Sequence, residues 1–401
     1  MIWFIISALC ALFLNTSLAS AIGFDAVTTT AFLPITLLIG LETFAGRMHY
    51  GLERNRQAIY VIILAGIIIL FKLFIGQDFF KEVLCMLIMP MIISIFFEKC
   101  RGKRILVLQM ITFLFFVVES LLAVYERITL TSVFYKAGID EYRPMEDWEF
   151  RSNALLGHPL ANAMVIAVIL AFIVTNHRLT PKLKISAALL GYIALFCFNA
   201  RGATIVVSAL IMPYLFLQMY NRYKTRRVLI IVFTTIVVAS LLYIVFETGL
   251  GGRLTNSDKL IDGSAQTRLE VYSFYKFVDV PDLLLGNSKN YLFVMNKLHA
   301  GGVENGVIVL ILNYGIIFTI PILLLLFSFQ FNKLKVYNKI DRWLILAVFY
   351  LIGFMNPNLA SPIQWTIFVF AYYSFRNTPV SRTLQGVCNY KHNNDGVTHI
   401  T

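Results

Sequence analysis

Residues 101–124 read RGKRILVLQMITFLFFVVESLLAV. A basic cluster, Arg101, Lys103 and Arg104, is followed by an apolar run over 105–124, and about 20 such residues are what a helix needs to cross the hydrocarbon of a bilayer. Working outward, the same kind of stretch recurs along the whole chain, at 2–21, 29–45, 58–75, 80–97, 158–176, 184–199, 203–219, 228–247, 304–327, 343–356 and 361–375. Together these predict an all-α, polytopic integral membrane protein of about 12 transmembrane helices in one domain covering 1–401.

Composition agrees. Of 401 residues, 58% are hydrophobic and 14% are charged, against roughly a quarter charged in soluble domains. Twelve spans of about 20 residues use roughly 240 positions, which leaves no room for a large appended soluble domain.

The net charge of +12 is concentrated after every second apolar stretch: Arg47, Arg54 and Arg56; Lys99, Arg101, Lys103 and Arg104; Arg178, Lys182 and Lys184; Arg222, Lys224, Arg226 and Arg227; Lys333, Lys335, Lys339 and Arg342. Such clusters mark cytoplasmic loops and suit anionic lipid headgroups, so the basic excess implies membrane lipid rather than nucleic acid. With an even number of spans both termini are cytoplasmic, including the tail 376–401. The first stretch ends in Ser17-Leu18-Ala19-Ser20-Ala21, similar to a signal-peptidase site, but Met1-Ile2-Trp3-Phe4 lacks a basic start, and a retained helix is expected. The five cysteines fall within spans or on the cytoplasmic side and imply no disulfide framework. No zinc, haem, Walker or dinucleotide pattern is present, so no metal or cofactor is expected.

On the outer side, 125–157 and 248–303 exceed what a connection needs, and long loops commonly bind or catalyse. The second, between spans 9 and 10, carries Thr267 and Glu270 at capping-box spacing. With Leu269, Tyr272 and Phe277 they predict a short surface helix running to Pro281. The first holds an acidic run from Asp140 to Glu149 interleaved with aromatic residues, readable as a sugar-holding or a solvated segment.

Candidate residues lie on this side. Arg201, in Asn199-Ala200-Arg201-Gly202, sits at the outer hydrocarbon edge. It reads as an anion-binding guanidinium or as an interfacial arginine snorkelling to water. Arg268, in the first turn of the loop helix, reads as part of a phosphate cradle or as an exposed ion pair, and Arg253 is a third candidate. Glu304, followed by Asn305 where the chain re-enters the membrane, and His299 are both able to accept a proton; Glu304 reads equally as a helix-dipole partner. In Gly157-His158-Pro159, Pro159 is a good first-turn residue. Lys72, near an outer end, is expected to snorkel.

In their order, Gly157-His158-Pro159, Asn199-Ala200-Arg201-Gly202, the large loop with Ser264-Ala265-Gln266-Thr267-Arg268 and Pro281 to Gly286, then Glu304-Asn305 and Leu312-Asn313-Tyr314-Gly315, the marks resemble the O-antigen polymerase and O-antigen ligase family of bacterial envelope glycosyltransferases. The resemblance covers 157–315. It implies an inner-membrane enzyme that transfers a glycan from undecaprenyl pyrophosphate to a sugar hydroxyl at the periplasmic face, without metal or nucleotide sugar, with a chain-length regulator as a possible protein partner. Arg201 and Arg268 would hold the pyrophosphate, with Arg253, His158 and Asn305 as further substrate contacts, and Glu304 or His299 would be the base. In the ligases a His stands where Glu304 does, which favours a polymerase joining lipid-linked repeats. A ligase and a transporter of the lipid-linked sugar are the alternatives.

Overall fold

The structure, a computed structural model, describes residues 2–13, 55–98, 100–134, 150–223, 270–287, 289–298 and 303–376, with 225, 227, 228, 231, 232 and 243 as isolated positions. These residues are mostly helical and contain no strand. In chain order the helices are α1 (Ile2–Phe13), α2 (Arg56–Phe74), α3 (Phe80–Glu98), α4 (Lys103–Thr129), α5 (Pro159–Thr175), α6 (Pro181–Cys197), α7 (Arg201–Arg222), α8 (Val280–Leu285), α9 (Asn290–Lys297), α10 (Gly306–Lys333), α11 (Lys339–Met355) and α12 (Pro362–Phe375). Five are long and apolar enough to cross a membrane: α2, α3, α4, α7, and α10 continued to Val336. The helices match the expected spans to within a few residues wherever those fall on described positions. The stretches 29–45 and 14–21, and nearly all of 228–247, lie outside them.

The packing is inverted relative to a water-soluble bundle. On α2 the outward stripe is Tyr60, Ile63, Ile67, Leu70 and Phe74, all exposed, while the seam Ala58, Val61, Ala65, Ile68 and Lys72 is buried. On α4 Leu106, Met110, Leu114, Leu121 and Ile128 face out, while Thr112, Glu119, Ser120, Glu126 and Arg127 face in. Continuous apolar outer faces of this kind are unfavourable against water and suit lipid.

At the centre lies α5, every residue of which is buried. Its sequence is apolar all round, the pattern of a helix enclosed on every side. Ala163, Ala167 and Ala171 recur at four-residue spacing, and such small side chains let helices approach closely. Around it pack α4, α6, α11 and α12. Prolines explain the local irregularities. Pro90 in α3 and Pro213 in α7 each follow a π-turn, Leu84–Ile88 and Val207–Ile211, where the wider turn accommodates the missing N–H and the ring.

One end of the bundle is closed by ion pairs among the basic clusters. Glu98 receives the Lys333 ammonium at 2.8 Å, with the Arg376 guanidinium 3.7 Å away. Asp341 accepts from Tyr214 Oη at 2.7 Å and from Asn338 Nδ2 at 2.8 Å, and lies 2.9 Å from His177 Nε2. Asp341 is buried and Glu98 half-buried, and both are tolerated here because each is paired and hydrogen-bonded. The charged residues that mark the loops in the sequence therefore also fasten α3, α5, α7, α10, α11 and α12 to one another. The opposite end carries the candidate site.

One local expectation is corrected. No helix continues to Pro281: among the described residues, Glu270 and Val271 are helical, and Tyr272 to Phe277 forms turns around a 3-10 segment, Phe274–Lys276. Pro281 opens α8 instead of ending a helix. The apolar anchors are Val271 and Phe274, which pack with Val294, Val303 and Ile308, while Tyr272 is exposed. Helical spacing alone did not reveal that α10 and α9 offer a surface to those two positions.

Candidate functional site

Two buried carboxylates on α4 build the first wall. Glu119 and Glu126 are seven residues apart and so share one face of the helix. Glu126 accepts four hydrogen bonds, from Val133 N (2.8 Å), Ser152 Oγ (2.6 Å), Asn153 N (2.8 Å) and Ala154 N (2.8 Å). Glu119 accepts from Leu155 N at 3.2 Å, and Arg127 Nη1 donates to Phe150 O at 2.8 Å. Segment 150–157 is thereby drawn over the bundle end although it has no regular structure. Ala154 takes a positive φ of 38° within it.

That segment delivers His158, the extended residue before the first turn of α5, with Pro159 next as expected. Although the His158 side chain is exposed at the rim, protein crowded around the ring holds its pKa below the ordinary value. The Arg151 cation lowers it further, and the nearby Glu304 carboxylate opposes both. Arg151 Nε in turn donates to Phe198 O at 3.4 Å, and Ser152 N to Cys197 O at 3.2 Å. The 150–157 segment and the turn before Arg201 are thus one assembly. Arg201 is the first residue of α7, partly exposed, and follows Asn199, which has a positive φ of 51°.

The second wall comes from α10 and α11. A Cβ on Gly202 would lie 3.0 Å from Met355 Sδ, and one on Gly306 would lie 2.8 Å from Gly353 O and 2.9 Å from Asn356 O. The starts of α7 and α10 therefore both abut the end of α11. Asn305 caps α10: its Oδ1 accepts from Val307 N at 3.0 Å and Ile308 N at 3.1 Å, and its Nδ2 donates to Tyr272 Oη at 3.2 Å. Asn305, which the resemblance names as a substrate contact, therefore also has a structural duty. Glu304 stands just ahead of the cap, partly buried. Of the residues named from sequence, His158, Arg201, Glu304 and Asn305 share this end of the bundle. Arg253, Arg268 and His299 lie outside the described residues.

A third feature was misread from sequence. Lys72 does not snorkel: it is fully buried, and its Nζ donates to Gly286 O at 2.7 Å, Leu285 O at 2.8 Å, Asn313 O at 3.1 Å and Gln77 Oε1 at 3.2 Å. These carbonyls belong to two interrupted helix ends. One is the C-terminus of α8, and the other is the break in α10 at Gly315, where φ is 74° and ψ is 166°. A cation at helix C-termini answers both their dipoles and their unpaired carbonyls. Gly286 and Gly315, both at positive φ, press backbone against backbone; a Cβ on Gly286 would collide with Gly315 N and Tyr314 C, and one on Gly315 with Leu284 O. The available signal was an ionisable residue inside an apolar stretch, which by default carries a role.

Beside this junction opens a cavity of about 330 Å³, lined by Asp78, Phe79, Glu82, Tyr291, Val309, Asn313, Pro357, Asn358, Ala360 and Ser361. Val309 follows the Asn305 cap by four residues, about 6 Å of helical rise, so cavity and rim are neighbours along α10. Asp78 and Glu82 were passed over in the sequence because they fall in a short connection. Among the described residues no group of three His, Cys, Asp or Glu side chains is placed to hold a metal ion. Chemically the rim offers a guanidinium, an imidazole whose pKa is held below its ordinary value and a carboxylate, a set able to hold an anion and accept a proton. Compared with protein-family models, with curated proteins and with solved structures, the chain finds no match.

Proposed function

We propose that the chain is a membrane-embedded glycosyltransferase that polymerises lipid-linked oligosaccharide repeats, taking a glycan from undecaprenyl pyrophosphate and joining it to a sugar hydroxyl of another repeat. In this reading it has about twelve spans, with the rim on the periplasmic side of a bacterial inner membrane and both termini in the cytoplasm. One observation carries it: Arg201, His158 and Glu304, from three separate parts of the chain, lie at the same end of the bundle, opposite the basic clusters, with the Glu304 carboxylate near enough to act on the His158 ring.

Arg201 would grip the pyrophosphate and stabilise the charge that develops as the glycan leaves. Arg268 and Arg253 would join it from the large loop. Glu304 or His299 would take the acceptor proton, and His158 would line the substrate path. The reaction balances without a cofactor: the acceptor oxygen forms the new glycosidic bond, its proton passes to the base, and undecaprenyl pyrophosphate departs.

A transporter of the same lipid-linked sugar is the second reading, favoured by ionisable groups buried within helices, namely Lys72, Glu119 and Glu126. Lys72 and Glu126 are, however, engaged with backbone groups in closed arrangements that a transport path would have to break. A ligase differs from the polymerase only in its acceptor.

The deciding experiment is to analyse glycolipids in cells producing Arg201→Ala at normal protein abundance. Accumulation of single lipid-linked repeats with loss of long polymer is expected. Full-length polymer would overturn the reading, and accumulation of finished lipid-linked polymer in a deletion strain would point to the ligase.

A further inference from the structure

We infer that α8 and α9 form a lipid-binding platform in the headgroup layer of the membrane, at the end of the bundle opposite the basic clusters. Its exposed apolar side chains are seated against phospholipid, and Lys289 and Lys297 face the lipid phosphates. The platform rests on the helices crossing a membrane and is independent of the transferase reading.

Helix lengths set the depth. α2 is 19 residues long, about 28 Å at helical rise, against about 30 Å of hydrocarbon in a bilayer. Beyond its break, α10 runs from Gly315 to Lys333, an equal length. The two helices are level with each other: the ring centres of Phe71 and Phe318 are 5.2 Å apart, and Lys72 Nζ donates to Asn313 O at 3.1 Å. Exposed apolar stripes start near that level and run away from it, Phe74, Leu70 and Ile67 on α2 and Ile317, Ile320 and Leu324 on α10. The hydrocarbon boundary therefore lies at Gly315, and Gly306 to Tyr314 projects about 13 Å past it, through a headgroup layer roughly 5–8 Å deep.

Both short helices pack on this projecting piece. Asn287 N, just past α8, donates to Leu312 O at 3.0 Å, and Val294 of α9 is buried with Ile308 and Leu312. Their other faces are apolar and uncovered: Val280 and Leu284 on α8 and Leu292 and Phe293 on α9 are all exposed. On α9 the outward residues are Lys289, Leu292, Phe293, Asn296 and Lys297, one helical stripe by their spacing. Two apolar side chains thus lie between two lysines on a helix without an acidic residue, and Lys297 Nζ stands 5.7 Å from the Phe293 ring centre.

Three features select phospholipid as the occupant. Water would leave the apolar stripe of α9 unmet. The patch is continuous with the outer stripe of α10, because the backbone of Leu284 closes on Gly315 and Ile317 follows two residues later, so the solvent of the stripe also reaches the platform. Finally, an aromatic ring flanked by lysines suits the boundary itself, with the ring at headgroup level and each ammonium drawn to anionic lipid.

The test is tryptophan quenching by brominated phospholipid, on the full chain reconstituted in bilayers containing phosphatidylglycerol. Phe293→Trp reports on the platform and Ile317→Trp on the hydrocarbon, each read as the difference from the unsubstituted chain. Both positions are exposed, so the variants should fold, and an unchanged thermal midpoint checks this. Emission should be lost at both, more at Phe293→Trp when the bromines sit close to the glycerol and more at Ile317→Trp when they sit deep in the acyl chains. Adding Lys289→Glu and Lys297→Glu to Phe293→Trp should reduce its loss in anionic bilayers, and an equal loss would overturn the phosphate contact. Loss at Ile317→Trp alone would sink the platform and leave the membrane reading, whereas no loss at either would sink both. Shielding of Phe293→Trp that follows protein concentration and ignores brominated lipid would assign the face to a second copy and overturn the inference.

Discussion

The ammonium of Lys72 lies 2.7 Å from the carbonyl oxygen of Gly286, a residue 214 positions further along the chain. Through that contact α2 secures the junction where α8 ends and α10 breaks, directly under the cavity wall formed by Asn313.

Replacing Lys72 by Met keeps the length of the stem and removes the donor, leaving the carbonyls of Leu285, Gly286 and Asn313 without it. A loss of about 3 kcal/mol is expected, read as a lower unfolding midpoint of the purified protein. Unchanged stability would mean that the junction holds itself.

Three glycines with positive φ allow conformational strain to be separated from crowding. Gly76, at φ 74°, has nothing within 4 Å of an added Cβ, whereas Gly286 and Gly315 meet backbone at once. Gly76→Ala should therefore cost about 1 kcal/mol. Gly286→Ala and Gly315→Ala should each cost about 4 kcal/mol or prevent folding, because overpacking adds to the strain. Equal costs at all three positions would refute the close approach.

Glu126→Ala leaves four donors unmet and should cost about 3–5 kcal/mol, with Glu126→Gln intermediate because one acceptor oxygen survives. Hydrogen–deuterium exchange provides a local check: the amides of Asn153 and Ala154 should exchange faster while those of α5 stay protected. Uniform loss of protection would assign Glu126 a global role instead of control of the His158 segment.

His158 predicts a pH dependence. Its folded-state pKa is lowered by the protein crowded around the ring at the rim and by Arg151, so the unfolded chain binds the proton more tightly. The associated stability is present above the unfolded pKa of about 6.5 and is lost as the pH falls through the depressed folded value. Acidification from about pH 7.5 to about pH 5 should lower the unfolding midpoint of the native chain more than that of His158→Gln. Identical profiles would refute the crowding of the ring.

Arg201 and His158 were legible as candidates because each breaks a local pattern: a cation on the side from which the basic clusters are missing, and a polar residue just ahead of a helix-opening proline. Asp78 and Glu82 break none, since carboxylates in a short connection are ordinary. Asn358 and Asn313 likewise have no periodicity that distinguishes a cavity wall from a helix end. Asn305 was noticed, but only the hydrogen bonds to Val307 and Ile308 identify it as a cap.

By itself the sequence determined the helical class, the approximate extent of the long apolar helices among the described residues and the grouping of basic clusters at one end of the bundle. Each of those rests on local terms, apolar run length and charge near a helix end, that act within a few residues. Tertiary structure alone decided that Lys72 turns inward, that Glu126 holds the 150–157 segment, and that residues near 78, 291, 313 and 358 enclose one cavity. These depend on which distant backbone groups are left unpaired once the helices pack, and no window of neighbouring residues contains that information.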